Sequence, residues 1–346
     1  MKSMPQPAPT SSSLLLAKAH RYDGEMCRAM VLAANATRWR SICSGAPGHS
    51  KLFDAELCGG GGQIYRTGVT TATGKAITYV RNQKAASQLL TYELSSLFGL
   101  AGPPRHGVQL ARKAPANAST FVFSFVRDPL DTALDAYLEL RHLATLRSPS
   151  YRAAMARAVG AAEISSSNHA LVIPPCRSPA DATRQFRLFL EALKRGDALG
   201  GDAYHAFPQA LKLDHMGVRS TTSTGRLGTS GSIDQGSASS VRMQGYDAIG
   251  HVESMEADLQ GMRKMLGLQV ANLSKALLSS RHSHRHEACA QVDKKDARIA
   301  TLVCDLYAAD YACFGYRTPA PTCTAVGVQR TAAALGIETF SLGIGL

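Results

Sequence analysis

No stretch of eighteen consecutive apolar residues occurs in this sequence, and the early run Leu14–Ala17 is too short for a membrane anchor or a signal-peptide core. Neither a transmembrane segment nor a clear signal peptide is therefore expected, and membrane association would need an N-terminal anchor missing from this chain. Aromatics are scarce at 6%, and no basic run is interleaved with them, which argues against nucleic acid as a partner. No C-x-x-C pair exists, so zinc-ribbon and thioredoxin-like readings lack support. The pattern G-x-x-x-x-G-K-[ST] is also missing, which excludes the ordinary ATPase phosphate loop. No acidic pair follows a strand as a magnesium site would require, so no metal is implied.

Acidic residues are outnumbered 38 to 26 by lysine and arginine, giving a formal charge of +12 and pointing to an anionic partner. Arginine dominates the basic set, 26 against 12 lysines, as suits bidentate sulfate and phosphate recognition, although compositional drift in an Ala-, Gly- and Arg-rich chain gives the same excess. The eight cysteines allow four disulfides, and the C-terminal four (Cys289, Cys304, Cys313, Cys323) lie close enough in sequence to pair locally. Three of only five asparagines, Asn35, Asn117 and Asn272, open N-x-[ST] sequons. Both features lean toward a secretory lumen. The histidine cluster of 281–286 reads as a solvated loop ahead of a metal or polyanion site.

Two segments carry the chemistry. Residues 76–88 offer a strand (Ile77 to Val80), a turn bearing Lys84 and a helix opened by Ala85, Ala86 and Ser87. Free N–H groups at that helix start, the Lys84 ammonium and the Ser87 hydroxyl would converge on one phosphate-sized oxyanion, resembling a P-loop in function. Residues 121–130 repeat the logic, with Arg127 at a strand end and Pro129 in the first turn of the next helix. Leu130, Leu134, Tyr137 and Leu138 fall on one helical face, which leaves Arg127 at the rim. The anion is read as a nucleotide phosphate, bound at strand ends as α/β proteins do.

At these residues the chain resembles the Golgi-type carbohydrate sulfotransferases that use 3'-phosphoadenosine 5'-phosphosulfate (PAPS). The stretch Arg81-Asn82-Gln83-Lys84-Ala85-Ala86-Ser87 is similar to that family's loop for the 5'-phosphosulfate. Phe125-Val126-Arg127-Asp128-Pro129, with Tyr137, resembles its stretch for the 3'-phosphate. Three further blocks follow in the family's order: His205-Ala-Phe-Pro-Gln209, Tyr246-Asp-Ala-Ile-Gly250 with Glu253 and Asp258, and Leu306-Tyr307 leading to Asp310 and Tyr316. The resemblance implies an α/β fold, a P-loop-like three-layer sandwich with a central parallel sheet flanked by helices. It implies sulfuryl transfer from PAPS to a hydroxyl of a glycan or similar acceptor, and a Golgi setting. Donor contacts would come from Arg81, Asn82, Lys84, Ala85, Ala86, Ser87, Gln88, Arg127 and the position of Asp135.

Three departures stand out. Asp135 occupies the place of the family's phosphate-binding serine and Thr132 that of an arginine, while Gln83 replaces the usual proline. A carboxylate at 135 would repel a phosphate by roughly 1 kcal/mol in water and about 4 at a half-buried site, unless it turns away or pairs with an arginine. A degenerate member that binds nucleotide or anionic glycan without turnover is the alternative this favours. A kinase-like phosphoryl transferase is a weaker rival.

Sulfuryl transfer asks for in-line placement and for charge stabilisation on the leaving phosphate, the role assigned to Lys84. The base that receives the acceptor's proton is sought among histidines, and two are placed for it: His106, 21 residues before Arg127, and His205. Asp247 and Glu253 read as structural.

Residues 1–70 are expected to form a partly disordered extension, 71–318 the catalytic domain with a low-complexity insertion at 219–242, and 319–346 a tail. Within the domain, Ser178-Pro179 opens a helix running to Gly196 with Phe186, Phe189, Leu190 and Leu193 on its core face. Amphipathic helices carrying Met255, Leu259, Met262 and Leu266, and then Ile299, Leu302 and Leu306, are both expected to pack on the sheet.

Overall fold

The computed structural model describes residues 39, 41–42, 64–70, 76–82, 84–85, 90, 120–161, 172–216, 246–268 and 288–316. The glycine run at 59–62, the sequons, the insertion at 219–242, the histidine cluster and the tail lie outside the described residues. Four strands form one sheet in the order β1 (Ile64–Thr70), β2 (Ala76–Val80), β3 (Thr120–Val126), β4 (Ala248–His251). The last three run parallel, with Tyr79 opposite Phe123 and Phe123 opposite Ala248, so the chain is α/β. Strand β1 is antiparallel to β2 and makes the sheet mixed where a wholly parallel one was expected. It comes from the stretch assigned to the N-terminal extension, as do Trp39 and Ile42, both fully buried in the core. Ile42 also accepts backbone hydrogen bonds from Leu199 and Gly200.

Period-two alternation sorts the strands' side chains to two faces. Val80, Val122, Val126 and Ile249 join one core with α1 (Pro129–Leu146), α3 (Pro179–Arg195) and α6 (Ala297–Phe314). Ile77, Tyr79, Phe121, Phe123 and Phe125 join the other with Leu90 and helix α5 (Met255–Met265). The remaining helices are α2 (Pro149–Ala158) and α4 (Gln209–Met216).

Local chemistry sets the helix ends. Asp128 caps α1, its side chain accepting from the N–H groups of Leu130 and Asp131, with Pro129 at the first position. Ser178 and Pro179 do the same for α3, which ends at Gly196 in the left-handed conformation at φ 81°. Helix α5 packs on the sheet as expected. Helix α6 lies against α3, α1 and α4, its buried Ile299, Leu302, Val303 and Leu306 join the core that Val80, Val122, Val126 and Ile249 of the sheet also line, and the carbonyl of Phe314 at its end meets Nε2 of His251 on β4 at 3.0 Å.

For Cys289 the expectation of local pairing is corrected. Cys289 is bonded to Cys176, across a separation of 113 residues, which ties the segment before α3 to the turn before α6. Closing a loop of that length restricts the unfolded chain by about 4–5 kcal/mol in the chain-entropy account. Cys304 and Cys313 are disulfide-bonded as well.

Gly250 on β4 has a physical reason. A Cβ there would sit 2.5 Å from Cε1 and 2.8 Å from Cζ of the Phe125 ring. Phe125 is fully buried and held edge-on by Phe123, so it has no room to swing away. Gly250→Ala is expected to destabilise the fold by about 2 kcal/mol through overpacking, read by urea denaturation; a loss below about 0.5 kcal/mol would refute this packing.

Candidate functional site

The site lies at the carboxyl edge of β2 and β3. Continuing the parallel register past Tyr79 and Phe123 brings Arg127 level with the turn that carries Lys84. Lys84 sits at φ 69°, the one non-glycine residue with positive φ among the described residues. A left-handed conformation costs an L-residue about 1–2 kcal/mol, so a strained lysine is held at the end of a strand. Its ammonium pairs with Glu139 of α1 at 3.2 Å. Burial lowers the Lys84 pKa, and Glu139 opposes that shift.

The strand ends are bound together by amides. Asn82, fully buried, uses both Nδ2 hydrogens inside the protein, one to the Phe125 carbonyl (2.9 Å) and one to Gln209 Oε1 (3.0 Å). Gln209 Oε1 also accepts from the Arg127 N–H (2.9 Å), and its Nε2 donates to the Arg127 carbonyl (2.6 Å). Asp310 then caps α4 from α6, accepting from the N–H groups of Gln209 (2.9 Å) and Ala210 (2.7 Å). Asn82, expected to contact a donor, therefore acts first as a brace, with only Oδ1 left unpartnered among the described residues. Gln209 and Asp310 were quoted in the sequence blocks but given no role. Their signal, an amide after Pro208 and an acid in a distant helix, shows its meaning only when α4 and α6 meet.

Arg127 is not an open cation. Its guanidinium pairs with Asp135, and its second terminal nitrogen lies 3.7 Å from Asp131. Lys294 also reaches Asp131. Asp131, Asp135 and Glu139 are spaced by four residues on α1, so one helical stripe of carboxylates faces Arg127, Lys294 and Lys84.

His205 closes the 3-10 turn Gly201–Ala206 and stacks on Tyr204, ring centroids 4.3 Å apart. Its Nδ1 is buried and meets no hydrogen-bond partner among the described residues. Burial first, then the neighbouring charges of Lys84, Lys212 and Arg81, push its pKa down to about 2. His205 is a neutral imidazole beside the lysine. Its carbonyl accepts from Lys212 at 3.0 Å. Burial drives the Lys212 pKa down to about 7, and burial raises Asp310 to about 6.

The structure thus brings Lys84, Asn82, Arg127, Asp135 and His205 to one edge. Arg81 follows β2 directly and acts on His205 through its charge. Ala85 is fully buried, and its N–H is spent on the Asn82 carbonyl at 3.3 Å, so it is not a free anion donor as expected. His106, Ala86, Ser87 and Gln88 lie outside the described residues. Glu253 accepts from the Asp128 N–H at 2.8 Å and Asp247 from the Val122 N–H at 2.7 Å, both structural. No three His, Cys, Asp or Glu side chains form a metal-sized group among the described residues.

Two measurements check this geometry. Lys84→Gly should be about 1 kcal/mol more stable than Lys84→Ala, since both lose the ion pair and only glycine releases the strain; equal stabilities would remove the strain argument. The unfolded chain protonates His205 near 6.5 and the folded one only near 2. Folding is therefore opposed increasingly as pH falls below about 6.5, and unopposed by this group above it. Stability curves of the native chain and His205→Gln should diverge below that pH by on the order of 1 kcal/mol per unit, and parallel curves would contradict a buried neutral imidazole.

In comparisons with known proteins, no family model matches the chain, no curated protein matches its sequence and no solved structure matches its fold.

Proposed function

We propose that this chain is a sulfotransferase that moves the sulfuryl group of PAPS to a hydroxyl of a glycan or similar polyhydroxylated acceptor, on a P-loop-like three-layer sandwich. The observation that carries the reading is Lys84, held in a strained turn at the carboxyl end of β2 with a neutral, unpartnered imidazole nitrogen near it. Strain at a cationic residue of a strand end is kept where a ligand needs the charge at one place.

The residues supply the chemistry as follows. The acceptor oxygen forms its bond to sulfur while the bridging S–O bond breaks, and that electron pair stays on the nucleotide's 5'-phosphate. Lys84 stabilises the charge arriving there. The acceptor's hydroxyl proton goes to the imidazole of His205, which is neutral. In the family resemblance His106 is the other base.

A lumenal, Golgi setting is part of the proposal. The Cys176–Cys289 bond and the bonded Cys304 and Cys313 support an oxidising compartment. Among the described residues no helix is long and apolar enough to cross a membrane. A second reading, a degenerate protein that binds nucleotide or anionic glycan without turnover, is favoured by one observation, the pairing of Arg127 with Asp135.

Transfer of labelled sulfate from PAPS to a panel of unsulfated glycans tests the reading. Lys84→Ala should lower turnover by about 100-fold or more, and chelator should leave it unchanged. Turnover untouched in Lys84→Ala would sink the proposal, and loss of activity with chelator would move it to metal-dependent phosphoryl transfer.

A further inference from the structure

We infer that this protein does not select for the donor's 3'-phosphate, and that Asp135, by occupying Arg127, is the residue that removes the selection. The inference rests on the proposed nucleotide site and concerns which nucleotide that site takes. Arg127, just past β3, is the arginine that the proposed site assigns to such a phosphate, and both of its terminal nitrogens already face carboxylates. One terminal nitrogen pairs with Asp135, the other lies 3.7 Å from Asp131, and the backbone N–H and carbonyl are both held by Gln209.

A phosphate arriving at Arg127 would have to displace a carboxylate that α1 holds in place. Asp135 lies one turn before Glu139, which is itself paired with Lys84, so it cannot retreat along the helix without meeting another fixed charge. The displaced carboxylate would stay within the phosphate's field, and two like charges in a partly buried site repel strongly. Lys294 does not relieve this, since it is drawn to Asp131. Lys84 is different. Among the described residues it has one ion pair, with Glu139 at 3.2 Å, where Arg127 has two, so a phosphosulfate arriving there displaces one carboxylate and not two. The 5' end of a nucleotide is therefore accepted and the 3' end is not discriminated. Adenosine 5'-phosphosulfate should serve this chain as well as its 3'-phosphorylated form.

Calorimetric titration of the full chain with adenosine 3',5'-bisphosphate and with adenosine 5'-phosphate tests this, using the native protein, Asp135→Ser and Asp135→Asn. Circular dichroism would confirm that each variant is folded, and the isosteric Asp135→Asn stands in if the serine variant is not. The native chain should bind the two nucleotides within about threefold of each other. Removing the carboxylate should tighten the bisphosphate by about 10- to 100-fold and the monophosphate by less, through the smaller effect of the Asp135 charge on Lys84. A native preference of tenfold or more for the bisphosphate, or no gain in either variant, would overturn the inference while leaving the nucleotide site standing. Absence of binding by both nucleotides to native and variant proteins alike would overturn the nucleotide site and this inference together.

Discussion

The amide of Gln209 holds the site together. It satisfies the N–H and the carbonyl of Arg127 just past β3, and takes a hydrogen from Asn82 just past β2. Parallel strands end with unpaired backbone groups, and buried ones must find partners. Here one side chain serves both strands. Gln209 is in turn fixed because its own N–H is received by Asp310, a fully buried acid on another helix. Taking any one of these away leaves the others with buried polar atoms unpaired, which is the expensive direction of a hydrogen-bond change. The level at which Lys84 and Arg127 stand relative to each other follows from this brace.

Charge balance is the second constraint. The chain carries +12 overall, yet at the strand ends each of Lys84, Arg127 and Lys294 has a carboxylate of α1 beside it. Partly buried cations without partners would be strongly penalised, and the four-residue spacing of Asp131, Asp135 and Glu139 supplies partners from one helix face. The net positive charge of the sequence is therefore not a measure of the field at this edge.

Much of the fold was legible because it is written in local patterns. Alternation in Phe121, Phe123 and Phe125 gave β3, and Pro129 and Ser178 marked helix starts through capping chemistry that needs only neighbours. What escaped depends on distant partners. The Cys176–Cys289 bond joins residues 113 apart, where sequence proximity is no guide. At the site, Lys84 and Arg127 were visible as bases at strand ends, and Asp135 as an intruding carboxylate. That Asp135 would seize Arg127 itself, eight residues back along the chain, needed the reach of an arginine around a helix start.

His205 shows how the brace and the charges join. It is held neutral by burial and by the positive charges of Lys84, Lys212 and Arg81, so its affinity for a proton is very low. A group in that state is a poor base, however well placed. An anion bound at Lys84 changes the balance, because its negative charge offsets the repulsion that holds the imidazole unprotonated. Under the proposed function a bound donor would raise the proton affinity of the imidazole by the part of the shift that these charges supply, burial supplying the larger part. In the proposed reaction the same fixed geometry that strains Lys84 would thus make the base dependent on the anion, and an acceptor hydroxyl reaching His205 before the donor would meet an imidazole with little pull on its proton.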